Sequence, residues 1–254
     1  MLVSSSSDNQ PELGSGVPTE LMLHCVARDL DRGERIAGTK GSQVNIDADA
    51  VIWSAPERER SGRPLLVLLH GYGSHEGEMF ALSRSLPLDP VIASVRAPHP
   101  EGAGFSWFPS VQESTASTSA DERFDAIGQT TRALLDWLDS TTSNGVGMLG
   151  LSQGGAMALE LLREQPERFR YVAQLSGFVF PSDHAGDARL AELRPPVFWG
   201  RGTNDAVIPE SLIDNTQEWL GAHSTLTERI YEGLGHGVSD AELSELGAFI
   251  RAQL

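Results

Sequence analysis

From about Ser42 onward the chain alternates between short, wholly apolar runs and longer segments of helical period. That alternation narrows the fold more than any other feature. The clearest run is Leu65-Leu66-Val67-Leu68-Leu69. It leaves no polar face, which suits a parallel strand covered by helices on both sides. Val91 to Val95, Val146 to Leu151, Tyr171 to Leu175, Val197 to Trp199 and Leu226 to Tyr231 read as further strands. Glu76 to Leu86, Asp121 to Asp139, Gln153 to Glu164, Pro209 to Leu220 and Asp240 to Gln253 read as helices. In the second of these, Phe124, Ile127, Leu134, Leu135 and Leu138 recur at near-helical spacing, with acids early, as the helix dipole prefers. Gln43 to Ser54 alternates more loosely and reads as a strand near an edge, whereas the Gly, Pro and Ser of Pro98 to Ser119 predict a long loop. Strands alternating with helices predict an α/β domain: a mostly parallel central sheet with helices on both faces. Its ligand site belongs at the carboxyl ends of the strands.

Composition narrows the partners. Against 19 Lys+Arg stand 35 Asp+Glu, a formal net charge of −16 over 254 residues. Such a surface repels nucleic-acid phosphates, so no nucleic-acid partner is expected. The single cysteine, Cys25, can form neither an internal disulfide nor a Cys-based zinc site, and reads as a small half-buried hydrophobe. No apolar run approaches the roughly 20 residues needed to span a bilayer, so no membrane insertion is expected. The start Met1-Leu2-Val3-Ser4 lacks the basic and apolar regions of a secretory signal, and the expected location is cytoplasmic. Residues 1–40 read as a flexible extension, rich in Ser, Gly, Pro and acid up to about Pro18. Within it, Glu20 to Leu30 could be a short docked element, helix or strand. Residues 41–254 are then expected to form one domain.

The sharpest chemical signal is Gly150-Leu151-Ser152-Gln153-Gly154, followed by Gly155. It comes straight after a strand and straight before a helix, the setting of a nucleophile elbow. Glycines let strand and helix come close, and the helix N-terminus adds partial positive charge where an oxyanion would form. A serine hydroxyl needs a base to act at neutral pH. His236, in Gly235-His236-Gly237 between the last strand and the last helix, is the candidate. The other histidines have plainer readings: His75 near a helix start, His223 after a helix, and His99 and His184 solvated in loops. The acid that would orient His236 is Asp205, in the segment after the Val197 strand; Asp183, Asp187 and Asp240 fit turn or cap roles better. The chain order is then Ser, Asp, His. His70-Gly71-Tyr72-Gly73 follows the Leu65 strand and predicts a sharp turn. The backbone N–H groups of Tyr72 and Gln153 are the expected oxyanion donors. His70 itself ends a core strand and is expected to tether loops by hydrogen bonds.

With these segments in place, the chain resembles the α/β-hydrolase superfamily, and more narrowly the phospholipase/carboxylesterase family that includes acyl-protein thioesterases. The likeness rests on Leu68-Leu69-His70-Gly71-Tyr72-Gly73, Gly150-Leu151-Ser152-Gln153-Gly154-Gly155, Gly202-Thr203-Asn204-Asp205-Ala206-Val207-Ile208-Pro209 and Gly235-His236-Gly237. It runs from about Arg63 to the C-terminus. The resemblance implies an α/β-hydrolase fold and a serine carboxylesterase acting on a small-molecule ester with short-to-medium acyl groups. Acyl thioesterase or lysophospholipase activity is the neighbouring alternative. Members of this family commonly pair as dimers, which leaves a homodimer open. A further family feature is an aromatic loop, here Gly104-Phe105-Ser106-Trp107-Phe108-Pro109, with Pro109 where the family often has an acid. Trp107 and Phe108 could wall an acyl pocket or cap the core beneath the loop. No cofactor is called for, and no metal-ligand motif appears. A reading from another class is a non-catalytic α/β-hydrolase that keeps its pocket and binds a small molecule or protein.

Overall fold

The structure is a computed structural model and describes residues 44–109 and 120–254. The expectations for residues 1–40, with Cys25 and the docked element at Glu20 to Leu30, lie outside the described residues. So does the second half of the long loop. In chain order the elements begin with β1 (Ile52–Trp53), β2 (Leu65–Leu69), α1 (Glu76–Ala81) and β3 (Val91–Val95). There follow a hairpin of β4 (His99–Glu101) and β5 (Gly104–Ser106), then α2 (Ala120–Asp139), β6 (Val146–Leu151), α3 (Gln153–Glu164) and β7 (Phe169–Leu175). The chain closes with α4 (Asp187–Leu193), β8 (Pro196–Gly202), α5 (Glu210–His223), β9 (Thr225–Tyr231) and α6 (Asp240–Arg251).

The main sheet has 7 strands in the order β1-β3-β2-β6-β7-β8-β9. The edge strand β1 pairs antiparallel with β3, and the other pairings are parallel. The central parallel strands are buried on both faces because helices cover both, whereas the edge strand β9 is partly exposed. Leu65, Val67, Leu69, Met148, Val172 and Trp199 pack with Leu134 and Leu138 of α2 and Ala156, Leu159 and Leu162 of α3. Leu66, Leu68, Ile92, Leu149, Ala173 and Phe198 pack on the other side with Met79 of α1 and Leu246, Phe249 and Ile250 of α6. Successive residues of β2 therefore serve opposite cores. Burying each of the Val, Leu, Ile, Phe and Met side chains among these contributes about 1.5–3 kcal/mol relative to leaving it in water.

Three local expectations are corrected. The edge strand expected over Gln43 to Ser54 contracts to Ile52–Trp53. Before it, Asp47 accepts a hydrogen bond from the N–H of Asp49 and caps a 3-10 turn at Ala48–Ala50. A short polar side chain there offers the backbone an alternative to the ladder. The loop after β3 carries the β4–β5 hairpin, and Phe124, read as part of the apolar stripe of α2, is 47% exposed. Helix α4 had no periodic signal, since Leu190 is its one buried residue. It is anchored instead by Arg163, wholly buried on α3, whose guanidinium donates to both oxygens of Asp187 at 2.9 and 2.8 Å. Among the described residues no helix is long and apolar enough to cross a membrane.

Helix α6 follows the His236 loop, and its cap fixes where that loop ends. Ser239 accepts from the N–H of Glu242 at 3.2 Å, and Glu242 accepts from the N–H of Ser239 at 3.4 Å. The carboxyl of Glu242 is wholly buried against Gly200 of β8, and its Oε1 has no hydrogen-bond partner. Burial pushes this carboxyl up to about 7, despite the opposing Ser239 N–H. Between about pH 4.5 and about pH 7 the folded chain thus holds a proton that the unfolded chain has released. Stability falls as pH rises through that window and levels off above it. Glu242→Gln keeps the cap geometry and removes the ionisation. Its stability should gain steadily on the parent's from about pH 5 to about pH 8, by on the order of 3 kcal/mol at most, read as a rising difference in melting temperature. A difference that does not change with pH would show that Glu242 is ionised throughout.

Candidate active site

The elbow is built by close approach. A side chain at Gly154 would stand 2.1 Å from the Leu69 carbonyl oxygen, and one at Gly150 would stand 2.2 Å from that of Gly154. Without them the first turn of α3 comes against the ends of β2 and β6. Ser152 is left in the turn with φ 52° and ψ −115°, a conformation L-residues rarely adopt. Its N–H donates to the Leu175 carbonyl at 2.8 Å, which ties the turn to β7. The hydroxyl then points out from the sheet end.

Two loops reach it. Asp205 follows β8 and His236 follows β9, and the two loops are knitted together. The Asn204 N–H donates to the Leu234 carbonyl at 2.9 Å, and the Gly233 N–H donates to Thr203 Oγ1 at 2.8 Å. His236 Nε2 lies 2.9 Å from Ser152 Oγ, and His236 Nδ1 lies 2.8 Å from Asp205 Oδ2. The Asp205 side chain is 3% exposed and that of His236 19%. The second carboxylate oxygen accepts from the N–H of Val207 at 2.9 Å and of Ile208 at 3.2 Å. Burial works to raise the Asp205 pKa, but the His236 hydrogen bond and charge, with those two N–H groups, hold it below the usual carboxylate range. An ionised Asp205 obliges Nδ1 to carry the proton, which leaves Nε2 free to accept one from the serine.

The turn after β2 lies beside the elbow, with the Cα of Gly71 facing Ser152: a side chain there would touch the Ser152 Cβ at 3.7 Å. His70 is wholly buried. Its Nε2 accepts from the Ala97 N–H at 3.1 Å, so Nδ1 is the protonated nitrogen and donates to the Gly71 carbonyl at 2.8 Å. Burial keeps the imidazole below its usual pKa, although the Gly71 carbonyl opposes this. His70 thus tethers two loops, the role expected for it. Tyr72 is half-buried in the turn, and Gln153 opens α3 with its side chain buried.

The structure separates the two aromatic candidates. Trp107 has no accessible surface. Of the two roles open to it, capping the core is the one its burial fits, because a ring without exposed surface lines no open pocket. Phe108 is half-buried and meets Phe180 edge-on at 5.4 Å, with Phe178 beyond at 5.5 Å. Two histidines depart from their plain reading. His99 lies in β4, where burial lowers its pKa, and His184 is half-buried against Glu164 at 3.3 Å. The sequence reading missed the side chain of Gln153, used there only for its N–H. Its Oε1 accepts from the Trp107 N–H at 2.8 Å, and its Nε2 donates to the Phe108 carbonyl at 2.9 Å. A buried amide next to a nucleophile was the available signal, since such a group must find partners. An open groove of about 620 Å³, lined by Gln165, Pro166, Arg168 and Arg189 among others, lies beyond the opposite end of α3 from Ser152.

With the geometry in hand, the sequence profile of the phospholipase/carboxylesterase family matches residues 50–254. The chain belongs to that family. Membership supports ester hydrolysis, and several relatives carry that chemistry in their names. Carboxylesterase SOBER1 of Arabidopsis thaliana is 31% identical over 46% of this chain, a match that spans about half (52%) of that relative. Esterase YpfH of Escherichia coli (strain K12) is 28% identical over 73% of this chain and 81% of its own. Among solved structures, esterase PE8 superposes with a TM-score of 0.65 at 25% identity, covering 83% of this chain and 100% of its own. These are α/β-hydrolase esterases, and the fold expected from the sequence is the fold found.

The close approach at Gly154 can be tested directly. Gly154→Ala puts a methyl group against backbone atoms that cannot swing aside, and should cost about 1–3 kcal/mol or more. Gly221→Ala on α5 meets open space and should leave stability level or raise it by about 0.5–1 kcal/mol. Thermal melts of the two variants side by side check this; equal melting temperatures would mean that α3 does not need the small residue.

Proposed function

We propose that the protein is a serine carboxylesterase that hydrolyses short-to-medium acyl esters through an acyl-enzyme, with Ser152, His236 and Asp205 as a catalytic triad. The observation that carries this reading is the unbroken run of contacts from Ser152 Oγ through His236 to Asp205, at 2.9 and 2.8 Å. Ser152 attacks the ester carbonyl as His236 Nε2 takes its proton. The oxyanion is received by the backbone N–H groups of Tyr72 and Gln153, at the N-terminus of α3. His236 returns the proton to the departing alcohol. A water then attacks the acyl-enzyme, giving its proton to His236, which passes it to Ser152 Oγ as the carboxylic acid leaves. Asp205 remains a carboxylate throughout and stabilises the imidazolium. Phe108 is assigned the contact with the acyl group, a reading supported by its partial exposure and by its carbonyl's bond to Gln153 Nε2.

The experiment is Ser152→Ala beside the parent, with an active-site fluorophosphonate and a panel of p-nitrophenyl esters and acyl thioesters of rising chain length. The parent should label and turn over short-to-medium esters. The variant should fold, fail to label, and lose on the order of 10⁴–10⁶ in kcat. A folded parent that neither labels nor turns over would favour a binding protein on this scaffold, and a preference for thioesters would move the activity within the family.

A further inference from the structure

The two proposed oxyanion donors belong to different elements. Tyr72 is in the turn after β2, and Gln153 opens α3. For both N–H groups to meet one oxygen, the turn and the start of α3 must hold a fixed separation. One residue bonds to the turn's backbone and to the Gln153 side chain. The indole N–H of Trp107 donates to the His70 carbonyl at 2.7 Å, two residues before Tyr72. The backbone N–H of the same Trp107 donates to Gln153 Oε1 at 2.8 Å. We infer that Trp107 is a positioning residue that holds the two halves of the oxyanion site at a fixed separation.

The surroundings give Trp107 a rigid mounting. Its own carbonyl accepts from Thr130 Oγ1 of α2 at 2.8 Å, and Gln153 Nε2 donates to the next carbonyl, that of Phe108, at 2.9 Å. Its ring lies 5.2 Å from that of His70. The far end of the turn is held by the same hairpin, where the Gly73 N–H donates to the Phe105 carbonyl at 3.0 Å and the Phe105 N–H donates to Ser74 at 2.8 Å. Arg96 stacks over Phe105 at 4.7 Å and is fixed by Glu76, its Nε donating to Oε2 at 2.9 Å. Tyr72 is therefore bracketed by bonds at His70 and Gly73, both from the β5 strand and its continuation. A wholly buried indole with its N–H on a backbone carbonyl explains why a tryptophan, and not another large apolar residue, fits here. Phenylalanine would fill the ring space and leave the His70 carbonyl without its donor.

This inference rests on the hydrolytic reading above, and the test separates the two. The variants are Trp107→Phe, which keeps the ring and loses the donor, and Gln153→Met, which keeps the backbone N–H and loses the side-chain bonds. Each is assayed per active site titrated with fluorophosphonate, and against a trifluoromethyl ketone that forms a tetrahedral adduct. Loosening the donors should lower kcat about 10- to 100-fold, with KM within about twofold. Affinity for the ketone should fall by the same factor, since only the tetrahedral adduct uses both donors. If either variant does not fold, the other carries the measurement. Unchanged kcat per titrated site with a lowered melting temperature would reduce Trp107 to packing and overturn the inference. So would a rise in KM for longer esters at constant kcat, which is the signature of an acyl-pocket wall. If the parent neither labels nor turns over, the catalytic reading fails. Amide hydrogen exchange at residues 71–73 then decides the clamp: faster exchange in Trp107→Phe supports it, and unchanged exchange overturns it.

Discussion

The closeness of helix α3 to the ends of β2 and β6 is the constraint on which the rest of the site depends. It exists because Gly150 and Gly154 lack side chains where any added carbon would stand 2.2 and 2.1 Å from a backbone oxygen. Only at that distance does the chain turn from strand to helix within one residue, and that residue, Ser152, must take φ 52°. Such a conformation costs about 1–3 kcal/mol. It persists because β6 is locked between β2 and β7 and because α3 buries Ala156, Met157, Ala158 and Leu159 without exposure. The core overrules the local preference of one residue. What results is a hydroxyl clear of its own backbone and a helix N-terminus beneath it.

A second requirement follows from the first. An elbow fixed to the sheet is useful only if the facing turn is equally fixed, and the turn after β2 has two glycines and no regular structure. Its rigidity is imported. His70 is held in a single tautomer by Ala97 and Gly71, and the aromatic stretch Phe105 to Phe108 bonds to the turn on one side and to Gln153 on the other. Apolar bulk and polar groups cooperate here. Trp107 and His70 are wholly buried, and there a hydrogen bond left unmade costs more than it does at the surface.

What the sequence made legible, and what it hid, divides along the same physical line. The runs Leu65 to Leu69 and Val91 to Val95 match β2 and β3 residue for residue, because burial on two faces writes an unbroken apolar string. Val146 to Leu151 and Gln153 to Glu164 match equally well, since the elbow between them punctuates the chain. Asp205 and His236 were legible as candidates from glycine-rich loops at strand ends, and the structure brings Asp205 to His236 and His236 to Ser152. Helix α4 was not, because its anchor is the Arg163–Asp187 pair and no local pattern encodes a partner 24 residues away. The side chain of Gln153 was hidden for the same reason, its partner being 46 residues distant. Trp107 invited two readings from sequence because an aromatic residue serves a pocket or a core equally well. Only its lack of exposed surface and the direction of its N–H decide which role the geometry fits.

Two buried acids in neighbouring segments show how finely the site is set electrically. Asp205 is almost wholly buried, yet held below the usual carboxylate range; Glu242 is wholly buried and pushed up to about 7. Burial acts on both in the same direction, so the difference lies in the bonds made to each. Both oxygens of Asp205 are engaged, one by His236 and the other by the N–H groups of Val207 and Ile208. Glu242 has the Ser239 N–H at 3.4 Å on one oxygen and no partner on the other. Donors aimed at a carboxylate stabilise the anion, and their lack leaves only the desolvation cost. The consequence falls on His236, whose loop lies between the two acids in sequence. It faces a fixed negative charge at Asp205, the one that orients it toward Ser152. Below about pH 7 the carboxyl at the head of the following helix holds its proton more often than not. In the proposed triad the anion is Asp205, and it differs from Glu242 in receiving two N–H donors on one oxygen and His236 on the other, where Glu242 has the single Ser239 N–H.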